Sequence, residues 1–163
     1  MKIVEKLKSL NIDISQPPKA VGSYSAFKIV NKFIYISGQL PIKKDGSILK
    51  GKVGDDITLE EAQKAAGYCA VNIISQLNSA CSNDLELVKN CIKINGYVNS
   101  SNTFFEQPKV INPVSELIVN IFGDKGSHAR AAVSVNSLPL GASVEVDAIF
   151  EINWYQVFQL NSN

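Results

Sequence analysis

Two segments of this chain predict helices that carry apolar residues on one side only, so each of them needs a flat surface to cover. The first runs from about residue 58 to residue 78, where apolar residues recur at helical spacing. Thr58 and Glu61 form a capping-box pattern at its start. A sheet beside this helix would bury its apolar stripe.

The second helix is predicted between Asn112 and Gly123. Asn112 suits the N-cap, Pro113 suits the first turn, and Gly123 suits the exit. The apolar residues of this segment fall at positions i, i+3, i+4, i+7 and i+8, namely Val114, Leu117, Ile118, Ile121 and Phe122. This stripe also predicts packing against a sheet.

Strand patterns surround the two helices. Residues 33–36 predict a buried strand, and residues 88–98 alternate, with Ile92 on the apolar side. Residues 130–136 and 144–152 predict two closing strands. The order strands, helix, strand, helix, strands predicts a single α+β domain, in which a sheet carries both helices packed on one face.

The composition is typical of one globular domain. The chain has 163 residues, of which 45% are hydrophobic and 19% are charged. Sixteen basic and fifteen acidic residues leave a net charge of +1, which argues against a nucleic-acid binder that uses a broad basic field. No apolar run approaches the ~20 residues that span a bilayer, so we expect no membrane segment.

Extensions flank the expected domain at both ends. Residues 1–16 predict an N-terminal extension with a short amphipathic helix rather than a signal peptide. Pro17 and Pro18 end that helix, residues 17–152 form the expected domain, and residues 153–163 form a tail without an assigned structure. The three cysteines are widely spaced and odd in number, which is typical of reduced thiols and predicts a cytoplasmic protein.

Arg130 and Glu145 are the candidate site residues that the closing strands suggest. Each of them alternates with apolar neighbours along its strand. Because the helices should cover the apolar rows, we expect both side chains on the open face of the sheet. If the two strands pair directly around residues 138–139, Arg130 and Glu145 lie too far apart for contact, so a shared site needs a second subunit.

These two residue types suit the binding and chemistry of a carboxylate. The guanidinium of Arg130 is planar and permanently charged, and it can bind a carboxylate bidentately. Glu145 can orient a water molecule or carry a proton if burial raises its pKa. The plainer alternative is that both are solvated strand residues or one ion pair, and the strand pattern alone favours this alternative.

His128 is the only histidine, and it lies in a loop that enters a strand. A lone histidine in such a loop is more often a surface residue than a catalytic one. Cys69 falls on the apolar stripe of the first helix, whereas Cys91 falls on the polar side of its strand and is the one thiol of interest. There is no Cys-x-x-Cys, no histidine pair and no carboxylate cluster with ligand spacing, so no metal site is expected.

Five short motifs occur in order along the chain: Pro18-x-x-x-Gly22-Ser-Tyr24, Tyr35-Ile-Ser-Gly-Gln-Leu-Pro41, Ala129-Arg-Ala-Ala-Val-Ser-Val135, Leu138-Pro139 and Val144-Glu-Val-Asp-Ala148. Together they resemble the reactive intermediate deaminase family, also called the YjgF or L-PSP endoribonuclease-like family. The resemblance covers residues 17–152, which is most of the chain.

The resemblance implies a chorismate-mutase-like fold with a mixed sheet, a homotrimer, and ligand clefts at the subunit interfaces. Members of the family hydrolyse reactive 2-enamines and 2-imines of carboxylic acids, such as 2-aminoacrylate and 2-iminobutanoate, to 2-oxo acids and ammonia. No metal or organic cofactor takes part. The expected partner is therefore a small carboxylate.

The resemblance also implies site residues. Arg130 matches the carboxylate-binding arginine, and Glu145 matches the acidic residue that positions the attacking water. Tyr24 matches a tyrosine of the cleft, and Gly38 lies in a segment that borders it. Asn112 matches a cleft-lining asparagine, although a role as N-cap would explain it without catalysis.

Two positions depart from the family pattern. Ala132 stands where many members have a cysteine, and His128 stands where an apolar residue or proline is common. These departures suggest a divergent branch, in which His128 could bind substrate or supply a proton. The alternative function is a non-catalytic regulatory trimer that binds a small carboxylate. RNA cleavage or translation inhibition is least favoured, because the net charge is nearly zero.

Overall fold

The computed structural model of the chain describes residues 2–19 and 22–153. A mixed sheet of five strands lies at the centre of this part. The helices and strands are α1 (Ile3–Ser9), β1 (Phe27–Val30), β2 (Phe33–Gln39), α2 (Leu59–Ala80), β3 (Val88–Asn99), α3 (Gln107–Phe122), β4 (Ala129–Val135) and β5 (Val144–Ile152). The strand order is β1-β2-β5-β3-β4. β3 and β4 are parallel, and the other pairs are antiparallel. The predicted α+β class is confirmed.

Both long helices pack on the same face of this sheet, as the sequence predicts. α2 lies over β2 and β5, α3 lies over β3 and β4, and the two helices contact each other. Gly96 of β3 allows α3 to come close, because a Cβ at that position would stand 2.5 Å from the side chain of Ile111. The sheet contributes fully buried side chains to the core beneath the helices, among them Ile34, Ile94, Val98, Val146 and Phe150.

The start of α2 and the end of α3 lie where the sequence predicts them. Thr58 Oγ1 accepts a hydrogen bond from the backbone N–H of Glu61 (3.2 Å), and the N–H of Thr58 donates to Glu61 Oε2 (2.8 Å). This reciprocal capping box satisfies two N–H groups that the helix itself cannot. Gly123 ends α3 with a φ of 62°, a conformation that favours glycine.

The start of α3 was predicted at Asn112, and this is wrong, because the helix begins at Gln107 and includes Pro113. Proline has no N–H, so Pro113 leaves the carbonyl of Lys109 without its usual helical donor. Gln63 of α2 supplies that donor, since its Nε2 donates to Lys109 O at 3.0 Å. The helix therefore continues through the proline, and Asn112 lies inside it rather than at its N-cap.

β3 does not keep the alternation that its sequence suggests. Its pairing with β5 is irregular between Val88 and Asn90 and again between Cys91 and Lys93. An irregularity of this kind moves the following side chains to different faces. Cys91 is therefore buried and Ile92 is 38% exposed, so the predicted faces of both residues are wrong. Burial raises the pKa of the Cys91 thiol to about 12, which keeps the thiol protonated and unreactive.

The N-terminal extension packs against the core of the domain. The short helix predicted near the N-terminus is present as α1, where Ile3 and Leu7 are buried in the main core. The predicted tail lies outside the described residues except for Asn153, whose backbone N–H donates to Leu87 O at 2.8 Å. Within residues 2–19 and 22–153, no helix has both the length and the apolar character needed to cross a bilayer.

Candidate functional site

Arg130 lies on the helix-covered face of the sheet, so its predicted place on the open face is wrong. It pairs with Ile94 of β3, which in turn pairs with Ala148 of β5. Residues paired across neighbouring strands share a face, and both Ile94 and Ala148 are buried beneath the helices. Val133 belongs to the apolar row of β4, which was expected to pack under the helices, but it is 46% exposed on the open face.

Arg130 lies on the unexpected face because β4 and β5 do not pair directly as a hairpin. β3 lies between them, parallel to β4 and antiparallel to β5. The chain crosses from β4 to β5 through residues 136–143, which include the short 3₁₀ turn Pro139–Gly141. The face of each β4 residue therefore follows from the register with β3, and the alternation within β4 does not determine it.

The guanidinium of Arg130 is held by α3. Its Nη1 donates to Asn112 Oδ1 (3.0 Å) and to Ser115 Oγ (3.1 Å), and its Nη2 lies 3.5 Å from Pro108 O. All three acceptors are neutral. Among the ion pairs of the described residues, none includes Arg130. The positive charge is thus oriented without being neutralised, which suits the binding of a carboxylate.

His128 contacts a partner of Arg130 rather than Arg130 itself. Its Nε2 lies 2.9 Å from Ser115 Oγ, and its Nδ1 lies 2.6 Å from the carbonyl oxygen of Gly126. Ser115 was not singled out from the sequence. It follows Asn112 by three residues on a helix, and this spacing places both on one side of α3, so the sequence contained a signal for it.

Glu145 lies on the opposite face of the sheet from Arg130. Its neighbours Val144 and Val146 are fully buried under the helices, so Glu145 points to the open face. There it lies against Gly38 of β2, where an added Cβ would overlap the carboxylate. Only a glycine at residue 38 leaves room for the carboxylate in this position.

The environment of Glu145 favours its protonated form. Burial raises the pKa of Glu145, and the negative charge of Asp147 raises it further. Asp147 accepts hydrogen bonds from Asn95 Nδ2 (2.8 Å) and from the hydroxyl of Tyr97 (3.0 Å). Burial and Asp147 also raise the pKa of Tyr97. Glu145 is therefore a carboxyl group that can take up and release a proton closer to neutral pH than an exposed one.

A cavity of about 260 Å³ opens beside Glu145. Tyr24 stands at this cavity with its side chain 51% exposed. Arg130, Asn112 and His128 do not line this cavity. The cavity is lined by Tyr24, Ala26, Gly38, Gln39, Pro139 and Glu145, among others.

The predicted site residues therefore form two groups on one protomer. Arg130, Asn112 and His128 lie together on the helix side of the edge strand, linked through Ser115. The other group consists of residues at the open-face cavity, Tyr24, Gly38 and Glu145. Within residues 2–19 and 22–153, no three His, Cys, Asp or Glu side chains are arranged to hold a metal ion.

Residues 5–152 match the protein family described as "YjgF/chorismate_mutase-like, putative endoribonuclease". The chain is 39% identical over 153 residues to the protein TCP17 of Trypanosoma cruzi, covering 93% of this chain and 95% of that protein. It is 30% identical over 139 residues to the 2-iminobutanoate/2-iminopropanoate deaminase of Homo sapiens, covering 85% and 86%. The crystal structure of Atu1372 from Agrobacterium tumefaciens, a protein of unknown function, superposes with a TM-score of 0.84 at 45% identity, covering 93% of both chains.

Proposed function

Because the chain belongs to the YjgF/chorismate-mutase-like family, as its motifs and mixed α+β fold predict, we propose that it hydrolyses reactive 2-enamines and 2-imines of carboxylic acids. The products are 2-oxo acids and ammonia, and no cofactor is needed. The human relative named as a 2-iminobutanoate/2-iminopropanoate deaminase supports this substrate class. The cytoplasm is the proposed compartment, because Cys69, Cys81 and Cys91 are unpaired thiols.

The observation that most supports the proposal is that the charge of Arg130 has no ion-pair partner among the described residues. Its guanidinium is oriented by Asn112 and Ser115, which are neutral, and no acidic side chain of the described residues forms an ion pair with it. A charged side chain that a protein buries is usually paired with an opposite charge. Here the carboxylate of the substrate takes that place, and it fixes the reacting carbon relative to the protein.

Glu145 is the proton carrier of the proposed reaction. Water attacks the carbon of the protonated imine (C=NH2⁺) while the ionised carboxylate of Glu145 accepts one water proton, which gives a neutral carbinolamine that carries OH and NH2 on the same carbon. Glu145 then returns this proton to the nitrogen and the carbon–nitrogen bond breaks. As the carbonyl forms, the hydroxyl proton passes to the departing ammonia, which leaves as ammonium. A 2-enamine first gains a proton from solvent at its terminal carbon, which gives the same protonated imine. The raised pKa of Glu145 suits a group that must both accept and donate a proton.

We further propose that each cleft combines Arg130 of one protomer with Glu145, Gly38 and Tyr24 of its neighbour in a homotrimer. Arg130 and Glu145 point to opposite faces of the same sheet, so one protomer does not bring them together. The open face also carries exposed apolar side chains, including Tyr35 (45%) and Val133 (46%), that a neighbouring subunit would cover.

The test is 2-oxo acid release from freshly generated 2-aminoacrylate and 2-iminobutanoate. We expect Arg130→Ala and Glu145→Gln to lower the rate by ~10²–10⁴-fold. Glu151→Gln is the matched control, because Glu151 lies on the same strand as Glu145, forms an ion pair with Lys32 and does not line the cavity. If the wild type does not exceed the uncatalysed rate but binds 2-oxo acids, the alternative of a non-catalytic carboxylate-binding protein replaces this proposal.

A further inference from the structure

His128 is connected to Arg130 through Ser115. Arg130 Nη1 lies 3.1 Å from Ser115 Oγ, which lies 2.9 Å from His128 Nε2, and His128 Nδ1 lies 2.6 Å from Gly126 O. We infer that His128 is a positioning residue that acts through Ser115 and fixes the orientation in which Arg130 binds a carboxylate. That this carboxylate belongs to the substrate rests on the proposed function.

The direction of each hydrogen bond follows from the two ends of this series. Arginine has only donors, so Ser115 Oγ accepts from Arg130. A carbonyl oxygen only accepts, so Nδ1 of His128 carries a hydrogen and donates it to Gly126. In the neutral ring Nε2 is then unprotonated, and it accepts the single hydrogen of the Ser115 hydroxyl. The Ser115 hydroxyl thus accepts from Arg130 and donates to His128, which leaves it a single favourable orientation.

The far end of the series is anchored by the backbone. Gly126 closes a short 3₁₀ turn, Gly123–Gly126, that packs directly on α3. A Cβ at Gly126 would stand 2.6 Å from the carbonyl oxygen of Ile118 and 2.8 Å from the Cα of Val119, so only a glycine fits. The carbonyl that accepts from His128 is therefore held close to the helix that carries Ser115.

This series of hydrogen bonds restricts the conformational freedom of the Arg130 side chain. Arginine loses considerable rotamer entropy when its guanidinium is fixed. Without an acceptor at residue 128, the Ser115 hydroxyl can rotate, and its lone pairs no longer face Arg130 in one direction. Asn112 still accepts from Nη1, so the loss is partial. We expect the affinity for a carboxylate to fall about fivefold, the factor that one neutral hydrogen bond contributes.

The first test needs no ligand. His128 is the only histidine of the chain, so nitrogen-15 NMR of the untagged protein shows its ring nitrogens without assignment. We expect the neutral ring to carry its hydrogen on Nδ1, and we expect Ser115→Ala to shift the Nε2 signal. A ring with its hydrogen on Nε2, or an Nε2 signal that does not respond to Ser115→Ala, would overturn the inference.

The second test measures the dissociation constant of 2-oxobutanoate by calorimetry. We expect His128→Leu to raise it about fivefold, whereas His128→Gln, whose side-chain oxygen can accept near the position of Nε2, stays within about twofold of wild type. The double variant with Ser115→Ala should bind no more weakly than Ser115→Ala alone, because the two residues act as one unit. Ser127→Ala, an exposed neighbour in the same loop, is the control.

Each other outcome has a definite meaning. Unchanged binding in His128→Leu, or effects of His128 and Ser115 that add, would overturn the inference. A proton-donor role would instead lower kcat in His128→Leu and leave the dissociation constant unchanged. A wild type that binds 2-oxobutanoate but does not hydrolyse imines would refute the proposed function alone. A wild type that does not bind it would refute the role of Arg130 and this inference together.

Discussion

The carboxylate of Glu145 occupies the space in which a side chain at residue 38 would otherwise lie, and Gly38 is what leaves that space free. Gly38 stands where the pairing of β2 with β5 shifts, between Ile36 and Gln39. The buried amide of Gln39 donates to the carbonyl of Ser37 at 2.9 Å and so stabilises this irregular segment. The position of the proposed proton carrier thus depends on the backbone of the neighbouring strand.

We expect Gly38→Ala to displace the carboxylate of Glu145 and to lower kcat for 2-iminobutanoate by ~10²-fold, because a misplaced proton carrier loses most of its effect. Steady-state kinetics on protein with a native circular dichroism spectrum would measure this. Gly67→Ala in α2 is the control, since a Cβ there meets nothing within 4 Å and should not affect activity. Full activity in Gly38→Ala would show that the position of Glu145 does not matter.

A cleft shared between protomers predicts complementation between inactive variants. When Arg130→Ala and Glu145→Gln proteins are mixed under conditions that exchange subunits, each mixed trimer contains one cleft with both side chains intact. We therefore expect part of the wild-type rate to return on mixing. Neither variant alone regains activity when treated in the same way. No recovery despite subunit exchange, followed by native mass spectrometry, would place both side chains in a site within one protomer.

The raised pKa of Glu145 predicts a stability change with a definite sign. A carboxyl whose pKa is higher in the folded state than its unfolded value of about 4.3 binds its proton more tightly when folded. Its contribution is thus present below about pH 4 and is lost as pH rises through the folded-state pKa. We expect Glu145→Gln to raise the free energy of unfolding at neutral pH and to have little effect below about pH 4, as measured by urea unfolding.

Glu151 provides the opposite case on the same strand. Hydrogen bonds from Asn90 and Lys32 lower the pKa of Glu151, so its ionised form stabilises the fold above its unfolded pKa and this contribution is lost as pH falls. Glu151→Gln should therefore slightly reduce the free energy of unfolding at neutral pH. If both variants changed stability in the same direction at neutral pH, the environment assigned to Glu145 would be incorrect.

The contact between Gln63 and Lys109 O predicts a coupling between the two long helices. Gln63→Ala should lower the free energy of unfolding by about 1 kcal/mol, because it leaves a helical carbonyl without its donor. In a Pro113→Ala background the restored N–H can serve that carbonyl, and the cost of Gln63→Ala should become smaller. Urea unfolding of the four proteins tests this, and equal costs in both backgrounds would contradict it.

The helices show what the sequence could and could not predict about the fold. The capping box of Thr58 and Glu61 involves residues three apart, and the structure confirms it. The start of α3 was misplaced because Pro113 normally opens a helix, and here Gln63, which lies 46 residues before Lys109, compensates for it. A contact of that range leaves no local pattern in the sequence.

The candidate site shows the same limit. The family resemblance identified Arg130 and Glu145, and the structure brings Asn112 to the first of them and Gly38 to the second. The open-face position predicted for Glu145 is confirmed. The face of Arg130 was not predictable, because β4 pairs in parallel with β3 and the alternation within β4 fits either orientation. The roles of these residues in substrate binding and proton transfer stay predictions until the variants are measured.

The placement of Arg130 and Glu145 on opposite faces of one sheet has a thermodynamic consequence. In the proposed trimer, a bound carboxylate contacts two protomers at once, so ligand binding and subunit association become coupled equilibria. The apparent affinity for the ligand should then weaken as the protein is diluted, and added ligand should shift the mass distribution toward the trimer. For such a molecule, the fraction of protein that is assembled sets how much substrate it can bind.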